Sequence, residues 1–508
     1  MSASSKRPSR DNSLSPRRLG IDTHQEPVVY MRADCPVCRS EGFAAHSRVQ
    51  VRLGERSITA TLNIVRGTLL GPDEAGFSES AWDLLRPQAG ARVSFAHPVA
   101  VDSMSYVRAK VYGQRLAETQ LDAIVADVVA GRYTDVELAA FIAACADGNL
   151  SQEEITSLTR AMVDAGERLT WPYRRVMDKH CVGGLAGNRT SMVVVPIAAA
   201  LGLIMPKTSS RAITSPSGTA DTMEVLAPVD LSLERMRAVV EQEGACIAWG
   251  GAVHLSPADD VLVRVERALD LDSEGQMVAS VLSKKAAAGS TDVVLDLPVG
   301  PTAKVRSMAA AHRLQRLLEH SAHAIGLKVR TLISDGRQPV GRGIGPALEA
   351  RDVLAVLRNE PGAPQDLREH ALDIATAVVE LGEVGKGDEA RALATAMLTE
   401  GHAWAKMQSI CEAQGGMREI PHASQTHEIA APHAGRVNAI DNRLLSRIAK
   451  LAGAPSAPAA GLELLVRLDD VVVRGQPLFR LHAETPGDLD YALEFAVRHT
   501  GIVGLERH

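Results

Sequence analysis

A glycine-rich run with two cations, residues 178–191, constrains this chain more than any other feature of its sequence. It reads Asp-Lys-His-Cys-Val-Gly-Gly-Leu-Ala-Gly-Asn-Arg-Thr-Ser and leads directly into a small apolar stretch, residues 192–200. Bare backbone N–H groups, hydroxyls and a helix N-terminus are groups that bind phosphate in proteins. The lysine precedes the glycines, which disfavours a P-loop ATPase, where it follows them. We expect a phosphate-binding strand-to-helix turn; a glycine-rich turn without a ligand is the alternative.

Length and composition indicate a multidomain globular protein. The 508 residues exceed what one core holds and predict about three or four units. The net charge is −6, so the chain lacks the excess of basic residues that is typical of nucleic-acid-binding proteins, and we expect no nucleic-acid partner. The apolar runs are too short to span a bilayer, and the N-terminal residues lack an apolar signal region, so we expect no membrane partner and a cytoplasmic location.

The six cysteines are scattered and do not predict a disulfide framework in a reducing compartment. Cys35 and Cys38 could form half of a zinc site with His46 as a third ligand, but no second Cys/His pair follows at finger spacing. The alternative is a turn that contains two ordinary thiols. We expect no metal and no cofactor.

Hydrophobic periodicity divides the chain into β-rich, helical and α/β regions. From Gly113 the apolar residues fall on helical faces, and capping boxes at Thr134–Glu137 and Ser151–Glu154 mark two helix starts. Past Trp171, buried strand-like runs alternate with helices, as in α/β proteins. We predict a disordered tail at 1–22, a β-rich domain at 23–104, a helical domain at 105–168 with a return segment at about 258–287, an α/β phosphate-binding domain at 169–257 and 288–428, and an α+β C-terminal domain at 429–508.

Three further polar clusters follow the glycine-rich run. Residues 207–221 carry many hydroxyls directly after a strand-like run, where open α/β sheets place ligands, although such hydroxyls also cap helices. Ser280 and Lys284 lie one helical turn apart, a polar and cationic face that suits a nucleobase, although a solvated helix end would have the same pattern. Residues 297–304 form a strand, a Gly/Pro turn and a lysine.

In this order and spacing, the four clusters resemble the thymidine and pyrimidine-nucleoside phosphorylase family, which also includes the AMP phosphorylases. The resemblance runs from about Gly113 to the C-terminus. It implies a multidomain α/β fold in which a small helical domain is hinged to a large α/β domain, with the site in the cleft between them and an α+β C-terminal domain. The β-rich N-terminal extension is a feature of the type 2, AMP-phosphorylase-like branch. The resemblance also implies a homodimer.

The resemblance implies roles for individual residues. Lys179 and Ser191 would hold inorganic phosphate, while Arg264, Ser280 and Lys284 would hold the base. The AMP-phosphorylase-like branch adds Asp272 as the proton donor and these nucleotide-binding positions: Gly184, Ser210, Arg211, Ala212, Ile213, Thr214, Ser215, Thr219, Ser280 and Lys304.

The chain departs from the short thymidine phosphorylases at two positions. Pro216 stands where those enzymes have a phosphate-binding threonine, and Cys181 stands where they have a serine. We expect Ser215, Ser217 or Thr219 to supply the missing hydroxyl.

Phosphorolysis of an N-glycosidic bond needs no metal, because phosphate itself attacks the anomeric carbon through a transition state with oxocarbenium character. Lys179, the amides of Gly183 and Gly184, and Ser191 could hold the phosphate in line. His180 could orient the substrate, or it could be a structural residue beside the glycine-rich loop.

The expected activity is that of a pentosyltransferase, with inorganic phosphate as co-substrate. It converts thymidine and phosphate to thymine and 2-deoxyribose 1-phosphate, or, as the alternative, AMP to free base and ribose 1,5-bisphosphate. A third hypothesis is a non-catalytic nucleotide-binding protein, because residues 473–478 resemble a lipoyl-type hairpin, although no lysine occupies its turn. An anthranilate phosphoribosyltransferase-like reaction is disfavoured, since residues 183–191 contain no acid to hold magnesium.

Overall fold

A computed structural model describes residues 12–23, 26–146, 148–212, 215–253, 255–269, 271, 273–499 and 501–506. The chain divides into two compact units. The first contains the residues up to 106 together with 127–137, and the second contains 107–126 together with 138–508.

Six strands of the first unit close into a barrel in the order β1-β5-β2-β4-β3-β6. They are β1 (Ser13–Arg18), β2 (Val28–Arg32), β3 (Arg48–Leu53), β4 (Arg56–Val65), β5 (Glu74–Phe77) and β6 (Val93–Ala96), with short helices α1 (Pro36–Glu41) and α2 (Glu79–Leu85). The predicted disordered tail at 1–22 is wrong for residues 13–18, which pair with β5 and β6 and bury Leu14 in the barrel core. A single apolar residue among Ser, Pro and Arg gives no alternating pattern from which this strand could be read.

A set of helices follows the barrel strands. They are α3 (Met104–Val111), α4 (Glu118–Val129), α5 (Asp135–Ala144) and α6 (Gln152–Asp164), and later in the chain α10 (Pro257–Leu269) and α11 (Glu274–Ala287). Both predicted capping boxes are present, because Thr134 and Ser151 accept the backbone N–H of Glu137 and Glu154 and the two carboxylates accept N–H groups in return. Helix α11 packs against α6, so the later helices return to the earlier ones.

Five parallel strands form the centre of the second unit. They are β7 (Met177–Cys181), β8 (Met205–Ser209), β9 (Ala245–Trp249), β10 (Asp292–Val299) and β11 (Lys328–Asp335). The sheet orders are β11-β10-β7 and β8-β9, and the backbone N–H of Met177 donates to the carbonyl of Ile204 at 2.8 Å, which brings the two sheets together. Because the pairs are parallel, the carboxyl ends of these strands lie at one edge, where such sheets bind ligands.

Helices cover the parallel strands. They are α7 (Ser191–Ala200), α8 (Thr219–Leu226), α9 (Leu233–Glu243), α12 (Met308–Ala324), α13 (Pro346–Leu357), α14 (Gln365–Leu381), α15 (Asp388–Thr399) and α16 (His402–Gln414), with a 3-10 turn at Gly250–Val253. Helix α7 is apolar on every side and is buried over nearly its full length, as expected for the central helix of a core.

Two antiparallel sheets form the C-terminal part of the second unit. Their strands are β12 (Gly343–Ile344), β13 (Gln425–Ala430), β14 (Gly435–Ile440), β15 (Gly461–Leu464), β16 (Val471–Val472), β17 (Pro477–Ala483) and β18 (Val503–Glu506), in the orders β12-β15-β17-β13 and β16-β14-β18, with helices α17 (Asn442–Leu451) and α18 (Pro486–Arg498). Within the part of the chain that the structure describes, none of the helices has the length and apolar character required to cross a membrane.

Candidate active site

The ammonium group of Lys179 is buried beside two hydroxyls. Lys179 is the central residue of β7 and is 1% exposed. Its Nζ donates to Thr190 Oγ1 at 2.6 Å and lies 3.4 Å from Ser191 Oγ, and among the described residues it has no carboxylate within ion-pair distance. Burial lowers the pKa of Lys179. A buried cation with only neutral partners is costly in the free protein and favours the binding of an anion beside it.

A chain of hydrogen bonds orients the hydroxyl of Thr190. This hydroxyl donates to Asn188 Oδ1 at 2.9 Å, so its lone pairs remain available to Lys179. Asn188 Nδ2 lies 3.3 Å from Asp296 Oδ2, which also lies 3.0 Å from His370 Nε2. Burial alone would raise the pKa of Asp296, but the hydrogen bond and charge of His370 outweigh it and the pKa falls to about 2. Asp296 is therefore a fixed anion that anchors this network from β10.

The glycine pair lies directly beneath Lys304. Gly184 has φ +77°, and a Cβ on it would lie 2.9 Å from Lys304 Cγ and against the Lys304 backbone N. At Gly183 a Cβ would lie 3.9 Å from Lys304 Cδ. Only glycine permits both this backbone conformation and this approach. The first and fourth sequence clusters therefore meet, as expected if they serve one site.

Arg189 joins the second cluster to the glycine loop, by which we mean residues 182–191. Its guanidinium donates to the carbonyl of Ser217 and to Thr222 Oγ1, and it forms an ion pair with Glu349, all of them buried. Burial raises the pKa of Glu349 although the charge of Arg189 opposes the shift. The hydrogen bond from Arg189 to the Ser217 carbonyl joins the loop after β8 to the glycine loop, and the ion pair with Glu349 joins both to α13.

The hydroxyls of the second cluster are largely used within the loop itself. Ser217 Oγ is buried 2.7 Å from Thr222 Oγ1, and Ser215 Oγ donates to the Ser217 carbonyl at 2.8 Å. Thr219 begins α8, is half-buried and has no described hydrogen bond from its hydroxyl. The predicted phosphate contacts of these three residues stay predictions, and Thr219 has the most available hydroxyl.

At the start of the loop after β8, carboxylates of the protein itself bind the guanidinium of Arg211 and the backbone N–H of Ala212. Asp221 accepts the backbone N–H of Ala212 at 2.6 Å and lies 3.3 Å from Arg211 Nη1. Arg211 also pairs with Glu224, and its guanidinium lies 4.9 Å above the ring of Trp249. Arg211 is thus engaged within the protein. Ser210 is exposed, whereas Ile213 and Thr214 lie outside the described residues.

Ser280 and Lys284 meet on helix α11 as their spacing predicts. Lys284 Nζ lies 3.3 Å from Ser280 Oγ and 2.6 Å from the buried Asp259 Oδ2 of α10. Burial would lower the pKa of Lys284, but the charge and hydrogen bond of Asp259 outweigh it and raise the pKa. Among the described residues, Asp259 Oδ1 is buried without a hydrogen-bond partner. Arg264 lies half-buried on the same helix α10, and Asp272 lies outside the described residues.

His180 stands between Lys179 and the glycine loop in the sequence. It follows Lys179 on β7, and among the described residues its imidazole makes no hydrogen bond. Burial, and then the positive charges of Lys285, Lys207, Lys284 and Lys179, lower its pKa well below the ordinary value. The imidazole is therefore neutral at physiological pH, and lysines of β7, β8 and α11 all act on its charge.

Several residues of this site were not predicted, although most stand within or next to the sequence clusters. Arg189 and Thr190 were predicted only as parts of a phosphate cradle in the glycine-rich run, and Asn188 of the same run was not predicted. Asp296 and Asp259 lie far along the chain from their partners, so no local pattern links them. The sequence signal that could have identified them is an acidic residue placed among apolar neighbours, since acids in such runs are usually paired when buried.

Cys35 and Cys38 lie in the first unit as two buried thiols. Cys35 Sγ caps α1 by accepting the backbone N–H of Cys38 at 3.2 Å, and Cys38 Sγ lies 3.7 Å from Met31 Sδ. His46 is exposed. In the described ranges the structure contains no group of three or more His, Cys, Asp or Glu residues arranged to hold a metal ion.

Comparison with known families and folds agrees with the architecture. Residues 104–166 match the helical bundle domain of the glycosyl transferase family, and residues 173–404 match its a/b domain. Anthranilate phosphoribosyltransferase from Thermus thermophilus superimposes with a TM-score of 0.52 at 20% identity, covering 61% of this chain and 98% of that one. The enzyme from Saccharomyces cerevisiae gives 0.50 at 13% identity, covering 62% and 98%. These two likenesses show the fold alone. The presence of a helical domain and an α/β domain is confirmed, while their predicted bounds and the hinge between them stay predictions.

Curated relatives match nearly the whole chain. The "Putative thymidine phosphorylase" of Polaromonas sp. (strain JS666 / ATCC BAA-500) is 61% identical over 490 residues, 96% of each chain. "Putative thymidine phosphorylase 2" of Acidovorax sp. (strain JS42) is 60% identical over 95% of this chain and 94% of that one. The relative of Legionella pneumophila (strain Paris), also named "Putative thymidine phosphorylase", is 56% identical over 95% and 93%. The chain therefore belongs to the thymidine phosphorylase family, built on the helical-bundle and a/b domains of the glycosyl transferase family, and it is a pentosyltransferase.

Proposed function

We propose that this enzyme is a pentosyl phosphorylase that converts thymidine and inorganic phosphate to thymine and 2-deoxyribose 1-phosphate. The observation that carries the proposal is the buried Lys179 ammonium, whose only described hydrogen-bond partners are the hydroxyls of Thr190 and Ser191. A phosphate dianion would supply the negatively charged partner that no described side chain provides within ion-pair distance of this ammonium group. The names of the relatives support the same activity.

The glycine loop would hold phosphate in line with the anomeric carbon. Lys179 and Ser191 would supply a charge and a hydroxyl, and the left-handed Gly183 and Gly184 would contribute backbone N–H groups. Orienting a bound nucleophile in this way is worth about 7 kcal/mol or more of the barrier. No covalent enzyme intermediate is needed, since the bond from carbon to phosphate oxygen forms as the bond to the base breaks.

Helix α11 would hold the base and stabilise it as it leaves. Ser280 and Lys284 lie 3.3 Å apart and present a hydroxyl and an ammonium to a planar ligand. Because Asp259 pairs with Lys284 at 2.6 Å, the lysine acts as a strong hydrogen-bond donor of little net charge. We assign the proton transfer to Asp272, as the resemblance implies. If Asp272→Asn keeps near-normal turnover, that assignment is wrong.

A second candidate substrate is AMP, because Lys304 adds a cation beside the glycine pair. Phosphorolysis of thymidine requires one bound phosphate, whereas AMP brings a second one on its 5′ position. The AMP-phosphorylase-like relatives that the sequence resembles use the position of Lys304 for the nucleotide. Lys304→Met should therefore weaken turnover of AMP strongly and that of thymidine little.

The deciding experiment compares thymidine and AMP with and without phosphate, measuring free base by chromatography. Base released from thymidine only when phosphate is present supports the proposal, and base released only from AMP transfers it to the second candidate. Lys179→Met serves as the control for background release. Binding of base without phosphate-dependent turnover of any nucleoside or nucleotide would favour a non-catalytic nucleotide-binding protein and contradict both.

A further inference from the structure

One buried carboxylate joins strand β7 to helix α11. Asp178 is fully buried, and its Oδ2 accepts a hydrogen bond from Lys285 Nζ at 2.8 Å and lies 3.3 Å from Ser290 Oγ. Its Oδ1 lies 3.3 Å from Lys207 Nζ of β8. Burial would raise the pKa of Asp178, but the charges of Lys207 and Lys285 outweigh it and lower the pKa.

The cluster lies between the two halves of the proposed site. Asp178 directly precedes Lys179 on β7, and Lys285 directly follows Lys284 on α11. The ion pair between Asp178 and Lys285 therefore fixes the end of α11 that carries Ser280 and Lys284 against the strand that carries Lys179. A loss of this ion pair would change the distance between bound base and bound phosphate, and misplacement of about 1 Å is enough to slow such a reaction roughly 100-fold.

The cluster also places unbalanced positive charge behind His180. Successive strand residues point to opposite faces, so Asp178 and His180 share a face of β7. Two buried lysines face one carboxylate here, and because burial holds the pKa of Lys207 at about 7, both are ammonium groups only below that pH. The other charged groups that act on His180 are Lys179 of its own strand and Lys284 of α11, the latter offset by Asp259.

We infer that Asp178, Lys207 and Lys285 form a positioning cluster, which fixes α11 against β7 and so sets the distance from Ser280 and Lys284 to Lys179. Its kinetic consequence rests on the proposed function, whereas its electrostatic consequence does not. A neutral imidazole can donate a hydrogen bond to a bound sugar or phosphate, or accept one from it, without adding a positive charge that competes with Lys179 for phosphate.

The test replaces Lys285 by methionine, with Lys285→Arg as the conservative variant and Lys328→Met as an exposed control. The first readout is the pKa of His180 in the substrate-free protein, followed by NMR of its ring C–H and assigned with His180→Asn. Removing one nearby positive charge should raise that pKa by about one unit, and Lys285→Arg should restore it. Lys328→Met should leave it unchanged.

The second readout separates positioning from binding. With Lys285→Met, kcat should fall by roughly 10- to 100-fold and the KM for nucleoside should rise, while phosphate still stabilises the protein against heat. An unchanged His180 pKa together with unchanged kcat and KM overturns the inference. If Lys285→Met does not fold, Lys207→Met provides the same His180 titration. A wild-type protein that turns over no nucleoside refutes the proposed function, while the NMR titration still decides the electrostatic half of the inference.

Discussion

Replacing Lys179 by methionine should remove most phosphate-dependent turnover without destabilising the protein. Methionine matches the lysine stem in length and is apolar, so it fits the same buried position. The wild-type ammonium has two hydroxyl partners and no described carboxylate partner, and burial lowers its pKa. Removing a buried charge that no described carboxylate pairs with directly should change the free energy of unfolding little, because the relief of burying the charge offsets the loss of its attraction to Asp296.

The expected loss of activity follows from the bond that the ammonium would make. In a site shielded from water, deleting one donor to a developing or bound oxyanion costs about 3–4 kcal/mol, or roughly 100- to 1,000-fold in rate. We expect a loss of this size in kcat/KM for phosphate. The KM for nucleoside should change little, because α11 and its contacts remain.

Two assays check this prediction. Base release at saturating nucleoside gives kcat/KM for phosphate, and thermal unfolding with and without phosphate reports binding. At 100 times Kd, phosphate should stabilise the wild type by about 2.7 kcal/mol and the variant hardly at all. Lys328→Met, at an exposed lysine on β11, should behave like the wild type. A Lys179→Met variant that binds phosphate and turns over normally, or that loses several kcal/mol of stability, would refute the reasoning.

Three further predictions concern the same site. Gly184 has φ +77°, and a Cβ there would overlap the backbone N of Lys304, so Gly184→Ala should abolish stabilisation by phosphate. Gly202 has φ +80° in open space, so Gly202→Ala should lower the free energy of unfolding in urea by only about 1–2 kcal/mol. Lys284→Met leaves the buried carboxylate of Asp259 without its cation and should lower the free energy of unfolding by about 3–5 kcal/mol. Adding Asp259→Asn should restore stability in the same assay but should not restore nucleoside turnover. Burial holds the pKa of Lys207 at about 7 against an ordinary 10.5, so the unfolded chain binds more protons between these values and the free energy of unfolding should rise with pH from about 7 to 10.5. Urea melts across that window should show a flatter slope for Lys207→Met, and an unchanged slope would contradict the assignment.

The sequence predicted those parts of the site whose chemistry is local. A lysine, three glycines and two hydroxyls within residues 178–191 define a strand-to-helix turn by themselves, and the structure has β7, the glycine loop and α7 in that order. The pairing of Ser280 with Lys284 follows from helical spacing alone and is present at 3.3 Å.

The parts that were missed depend on partners distant in the sequence. Asp296 contacts Asn188 although the two residues are 108 positions apart in the sequence, and Asp178 contacts Lys285 although they are 107 positions apart. Register and strand order bring such pairs together, and neither can be read from one sequence. The same limit explains strand β1, where pairing with β5 rather than any apolar alternation orders residues 13–18. The homodimer and the cytoplasmic location stay predictions.

Helix α17 of the C-terminal region contacts the turn that carries Lys304. Asn442, the first residue of α17, donates through Nδ2 to Thr302 Oγ1 at 3.1 Å and to the carbonyl of Gly336 at 3.2 Å. Two residues after Thr302, Lys304 lies over the glycine pair. No composition or spacing signal assigned this part of the chain a role at the site.

In the proposed reaction, phosphate bound at the glycine loop attacks the anomeric carbon of the pentose. Turnover of nucleoside with phosphate labelled by ¹⁸O on every oxygen, followed by mass spectrometry of the sugar phosphate, tests this claim most directly. We predict a pentose 1-phosphate that retains all of the labelled oxygens, because the carbon–oxygen bond formed uses a phosphate oxygen. A product that has lost one labelled oxygen, or a free unlabelled pentose beside the released base, would contradict the account.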